Sequence, residues 1–86
     1  MKRFWFEFDT STLKFVPYGT NIGCGVTAYD YEDALSILEE RVFQAQLPGM
    51  TAVIPDVDVR NLDQNHVIPN MSSPNSRGVW FPQGYD

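Results

Sequence analysis

The most regular patterning of apolar and polar positions in the chain lies between Ile22 and Phe43, in IGCGVTAYDYEDALSILEERVF. Its first third has a period of two. Ile22, Cys24, Val26 and Ala28 share one parity, and Gly23, Gly25, Thr27 and Tyr29 share the other. Successive strand side chains point to opposite faces, so this predicts a strand with the first set buried. From Tyr31 the period changes. At ~100° per residue, Tyr31, Ala34, Leu35, Leu38, Val42 and Ala45 form one stripe, with Ile37 at its flank and Phe43 on the polar side. Asp30 is the expected N-cap, Asp33 stands at the capping-box position, and Glu32 and Asp33 suit the positive end of the helix dipole. Leu47-Pro48-Gly49 is the expected stop.

Other stretches add strands. In Arg3–Phe8, Phe4, Phe6 and Phe8 share a face, while Trp5 and Glu7 share the other. This segment is expected to pair antiparallel with Gly23–Tyr29, since sequential strands usually neighbour each other. Leu13–Val16 is expected as a short strand inside a connection with little periodicity. Thr51–Arg60 alternates, with Val53, Val57 and Val59 on one parity and Asp56, Asp58 and Arg60 on the other. Pro55 makes it an edge or breaks it. Residues 61–78 are loop-rich, Val79-Trp80-Phe81 is a last short strand, and residues 82–86 are read as a mobile tail. The fold class expected is α+β: one central helix packed on a small, mainly antiparallel sheet, order β-β-α-β-β, in a single domain spanning residues 1–86.

Composition narrows the function. With 86 residues and one cysteine, no internal disulfide is available, which fits a reducing, cytoplasmic setting. The first residues are interrupted by Glu7 and Asp9 and do not read as a signal peptide, and no ~20-residue apolar span suits a membrane. The net charge is −5 and the six Lys and Arg are scattered, so nucleic acid is not an expected partner.

Candidate chemistry is sparse, and no cofactor is implied. Cys24 with the single His66 could be a nucleophile and base, with Gly23 and Gly25 admitting a substrate. Its parity with Val26 and Ala28 instead reads as buried core. Asp56, Asp58, Asp63 and His66 are weak candidates for a metal-dependent or small-molecule site, although no calcium-loop or zinc spacing accompanies them. The paired carboxylates Glu32-Asp33 and Glu39-Glu40 are helix neighbours and do not face each other. The chain thus leans away from an enzyme.

The aromatics outside the expected core are the better lead. Trp5, Phe43, Trp80 and Tyr85 are the interaction candidates, because such side chains anchor protein interfaces. The alternative is that the C-terminal segment folds back over the second sheet face with Phe43 and Trp5 as its floor. Either arrangement places these residues near one another.

The joint pattern GCGVTAYDYEDAL, DVDVRNLD and GVWFPQGY resembles small uncharacterised bacterial single-domain proteins that end in a Trp-Phe-Pro-x-Gly-Tyr segment. The resemblance implies a single intracellular bacterial domain and brings no activity with it. The expected function is a non-enzymatic, acidic protein-interaction domain, of the immunity- or inhibitor-like kind by analogy of composition. The alternative is the site around Asp56, Asp58, Asp63 and His66. A homodimer that pairs exposed strand edges is a third expectation.

Overall fold

Three phenylalanines on alternate positions need an apolar cover, and the helix supplies it. The computed structural model describes residues 1–85. In it β1 (Lys2–Phe8), β2 (Cys24–Ala28), β3 (Met50–Pro55) and β4 (Gly78–Phe81) form one antiparallel sheet, and a helix follows β2. The helix runs as α1 (Tyr31–Ile37) and continues as a π-helical segment, Leu38–Phe43. This is the α+β architecture expected. The order β-β-α-β-β does not carry over to the sheet, whose strands lie in the order β3-β1-β2-β4. The chain places β3 outside β1 and β4 outside β2, so the two earliest strands form the centre.

The expected pairing of the first two strands is present, with Lys2 opposite Ala28, Phe4 opposite Val26 and Phe6 opposite Cys24. Phe4, Phe6, Phe8, Cys24, Val26, Ala28 and Val79 make the floor of the main core, and Ala34, Ile37, Leu38 and Val42 make its roof. Ile22 leaves the predicted face: β2 begins at Cys24, and Ile22 is exposed in the preceding turn.

The helix start follows its sequence signals. Asp30 Oδ1 accepts from the Asp33 N–H at 2.8 Å, and Asp33 Oδ2 accepts from the Tyr29 N–H at 3.0 Å. The helix end does not. A π turn closes i→i+5, so residues five apart stack on one face. Ile37 and Val42 therefore share the core side, and so do Leu38 and Phe43. Ile37 is buried rather than at the flank, and Phe43 packs edge-on against Phe8 with ring centroids 5.2 Å apart. Ala45 is exposed, because Gln44 in the left-handed conformation (φ 55°) ends the helix before Leu47-Pro48-Gly49. Tyr31 is partly exposed but lays its ring beside Phe4 and Phe6.

The second sheet face carries its own core of Trp5, Trp80, Phe81, Val57 and Val67, with Val59, Leu62 and Met71 packed against it. The strand expected over Thr51–Arg60 ends at Pro55. Asp56 takes a positive φ of 51°, and the chain turns so that Val57 is buried and its N–H donates to the Arg3 carbonyl at 3.0 Å. Residues 57–71 then cross beneath the sheet through two short 3-10 turns, Val59–Asn61 and Ile68–Asn70. Leu13–Val16 is not a strand.

Two glycines decide how the indoles fit. A Cβ on Gly25 would stand 2.3 Å from Trp80 Cζ3, and one on Gly23 would stand 2.4 Å from Trp5 Cζ2. The missing side chains are the space the indoles occupy, and no room is left for a substrate to approach this backbone. A register shift between Gly25 and Val26 opposes Gly25 to Phe81 and Val26 to Val79. Such an irregularity re-aims side chains, and Trp80 and Phe81 both join the second core.

Candidate functional site

The two most exposed aromatics, Phe15 and Tyr18, come from a region without periodicity. In residues 9–23, Pro17 and Thr20 are buried, and Thr20 Oγ1 donates to the Pro17 carbonyl at 2.7 Å. Folding those two inward turns their neighbours out: Phe15 is 81% exposed and Tyr18 87%, with Val16 and Ile22 also exposed. The loop is anchored from the C-terminal side. The Tyr85 hydroxyl donates to the Tyr18 carbonyl at 2.9 Å. Gly19, at φ 84°, lies so close under Pro82 that a Cβ there would meet its ring at 2.7 Å. A contiguous exposed apolar patch that includes aromatics is a surface feature of binding faces.

Beside this loop lies a groove of about 810 Å³. Val16, Tyr18 and Ile22 of the loop line it together with His66, Phe81 and Pro82. Its walls are mainly apolar. The Asn70 side-chain amide donates to the His66 carbonyl at 2.9 Å, and the Gln83 amide donates to the Met71 carbonyl at 3.0 Å, so both carboxamide oxygens remain as acceptors at the rim. A smaller recess of about 480 Å³, at the start of β1, is lined by Lys2, Arg3, Thr27, Asp56 and Pro74. Arg3 is already engaged there by the Pro74 carbonyl and by Asn75 Oδ1 at 2.7 Å.

Of the four interaction candidates, Trp5 and Trp80 are buried and lie together in the second core, ring centroids 6.1 Å apart. Trp5 Nε1 donates to Glu7 Oε2 at 3.0 Å, which explains the glutamate on that face. Trp80 Nε1 is buried without an acceptor among the described residues. Phe43 packs on the opposite face of the sheet, against the main core. The expectation that these residues lie near one another therefore fails: the sheet separates Phe43 from both indoles. Tyr85 is half-buried, packs against the main core as Phe43 does, and donates its hydroxyl to the Tyr18 carbonyl in the loop. Phe15, Tyr18, Val16 and Ile22 were not candidates from the sequence. The available signal was two aromatics flanking Pro17 outside any amphipathic element.

The carboxylates are not brought together. Among the described residues no group of three or more His, Cys, Asp and Glu side chains is placed to hold a metal ion. Asp58 is engaged by Arg60 at 2.7 Å, and the Arg60 side chain holds its carboxyl well down, at about 2. Asp63 accepts from the N–H groups of Asn65 and His66, and its Oδ2 lies 3.1 Å from His66 Nδ1. The Asn65 N–H, with His66, holds the Asp63 carboxyl below its ordinary range. Asp56 faces the smaller recess. Cys24 is fully buried, and burial pushes its thiol up to about 12. At neutral pH it is protonated and enclosed, which removes it as a nucleophile. No described helix is long and apolar enough to cross a membrane.

The chain matches no family model, and no curated protein and no solved structure is similar to it.

Proposed function

We propose that this chain is a protein-binding domain that docks the apolar segment of a basic partner against the Phe15–Ile22 loop and its groove. The observation that carries the reading is the exposure of Tyr18, within the Pro17–Thr20 turn held by Thr20, Pro82 and Tyr85, and of Phe15 beside it. A fixed loop loses little further conformational freedom on binding, so its aromatic area contributes more of its burial to affinity. The basic character of the partner is argued from charge. The chain carries 11 acidic and six basic residues, and two of the basic ones, Arg60 and Arg77, are already paired with Asp58 and Asp33. Such a surface attracts cationic partners and speeds their encounter. An inhibitor- or immunity-like role in the cytoplasm of a bacterium is the biological form of this reading, supported by the acidic surface and the single, enclosed cysteine.

The test joins capture from the source cell to calorimetry with the purified partner. Phe15→Ala and Tyr18→Ala should each weaken binding at least tenfold, within the ~1–4 kcal/mol range of interface anchors. Raising the salt concentration should slow association. A partner bound equally well by both variants, or bound without dependence on salt, would refute the proposal.

A further inference from the structure

The two edges of the sheet are treated differently. Beyond β4 the edge is partly closed, since the Ser72 N–H donates to the Trp80 carbonyl at 2.7 Å. Beyond β3 no described strand follows. Open edges in folded proteins are usually guarded by lysines, inward charges or a covering loop. The sequence of β3, MTAVIP, carries no charge at all. Met50, Val53 and Ile54 are 40%, 40% and 45% exposed along it. Pro55 lacks an N–H and can stand in the ladder only where its nitrogen faces away from β1. Val53, two residues earlier, has the same orientation by the alternation of an antiparallel pair, so its N–H and C=O point outward from the edge.

We propose that two copies of this chain associate through this edge, β3 pairing antiparallel with β3 of the partner about a two-fold axis at Val53. Such a contact is self-complementary. Val53 faces its own counterpart and exchanges two backbone hydrogen bonds with it, while Ile54 meets the partner's Ala52. Pro55, which has only a carbonyl to offer, meets the partner's Thr51. The charge pattern selects this arrangement. Antiparallel pairing sets Asp56 opposite the partner's Met50, whereas a parallel pairing would set Asp56 beside Asp56 of the partner subunit, and the six paired residues themselves bring no charge to the seam. A strip about 20 Å long covers only a few hundred Å² on each copy, below the size of a stable specific interface, so association is weak and transient, with a dissociation constant on the order of 10–100 μM. This surface is separate from the groove, and neither proposal depends on the other.

Sedimentation equilibrium from 5 μM to 1 mM tests it. The native chain should move from 9.8 kDa towards twice that mass over this range, and more completely in high salt, because each copy carries a net charge of −5 that salt screens. Val53→Lys places a guarding charge on the edge, and Val53→Pro removes the outward N–H. Both should remain monomeric where the native chain is at least half dimer, with circular dichroism confirming the fold. The Val53 amide should exchange about four- to ninefold more slowly at 1 mM than at 5 μM, the ratio of monomer fractions for that range of dissociation constants. A native chain that stays at 9.8 kDa throughout, a Val53→Lys variant that associates like the native chain, or a Val53 amide whose exchange ignores concentration would each overturn the proposal.

Discussion

Gly25→Ala is the sharpest test of how the second core is built. The added methyl would stand 2.3, 2.4 and 2.5 Å from three carbons of the Trp80 six-membered ring. Carbon atoms in contact prefer about 3.5–4.0 Å, so the ring must retreat by more than about 1 Å. It has little room to do so. Trp80 is 1% exposed, with the Trp5 ring on one side and the strand backbone beneath it. Gly25 itself does not take a positive φ, so the cost is one of space and not of backbone conformation. Overpacking of this kind costs about 1–3 kcal/mol and occasionally more. With a rigid ring as the obstacle, a value near the top of that range, about 3 kcal/mol, is expected. For a domain of this size that lowers Tm by roughly 12–24 °C. Urea denaturation followed by tryptophan fluorescence measures the loss. A Gly25→Ala, Trp80→Leu double variant isolates the cause, because leucine ends before the clashing atoms. In the Trp80→Leu background the alanine should cost under about 1 kcal/mol, giving a coupling of about 2 kcal/mol. A Gly25→Ala variant within about 0.5 kcal/mol of the native chain, or an equal cost in both backgrounds, would refute the reasoning.

Two further expectations can be checked with the same protein. Cys24 should resist a thiol-specific disulfide reagent in the native state at pH 8 and react fully in denaturant, since the thiol is enclosed and raised to about 12; rapid native modification would place it at the surface instead. Asp33 receives two hydrogen bonds from Arg77, at 2.6 and 2.9 Å, and one from the Tyr29 N–H, and these hold its carboxyl at about 2 against an ordinary 3.8. A depressed carboxyl stabilises the fold above its unfolded value and loses that contribution as protons bind. Stability should therefore fall as the pH drops from about 4 towards 2, and Arg77→Gln should flatten that fall; equal slopes in the two proteins would remove Asp33 as its source.

Much of the local structure was legible in the residues. The alternation of Phe4, Phe6 and Phe8 and of Cys24, Val26 and Ala28 marked two strands and their buried faces, because period-two patterning is a property of neighbours in sequence. Asp30 and Asp33 marked the helix start for the same reason: a cap acts within one turn. Pro55 marked an edge strand, since a missing N–H restricts where a residue can pair. The candidate surface was less legible. Phe15 and Tyr18 lie in a loop whose shape is set by Thr20, Pro82 and Tyr85, two of them more than sixty residues away.

An α+β chain with one capped helix, a phenylalanine-lined sheet and an enclosed cysteine follows from short-range periodicity and capping. Packing between distant segments set β3 and β4 beside the early pair, carried Phe43 onto the core through a π turn, and filled the gaps at Gly23 and Gly25 with Trp5 and Trp80. The physical reason is common to all three. A glycine reads the same whether solvent, a ligand or an indole fills the space beside it, and a helical residue reads the same until the i→i+5 turn rotates it. Which of these occurs is fixed by packing between segments distant in the chain.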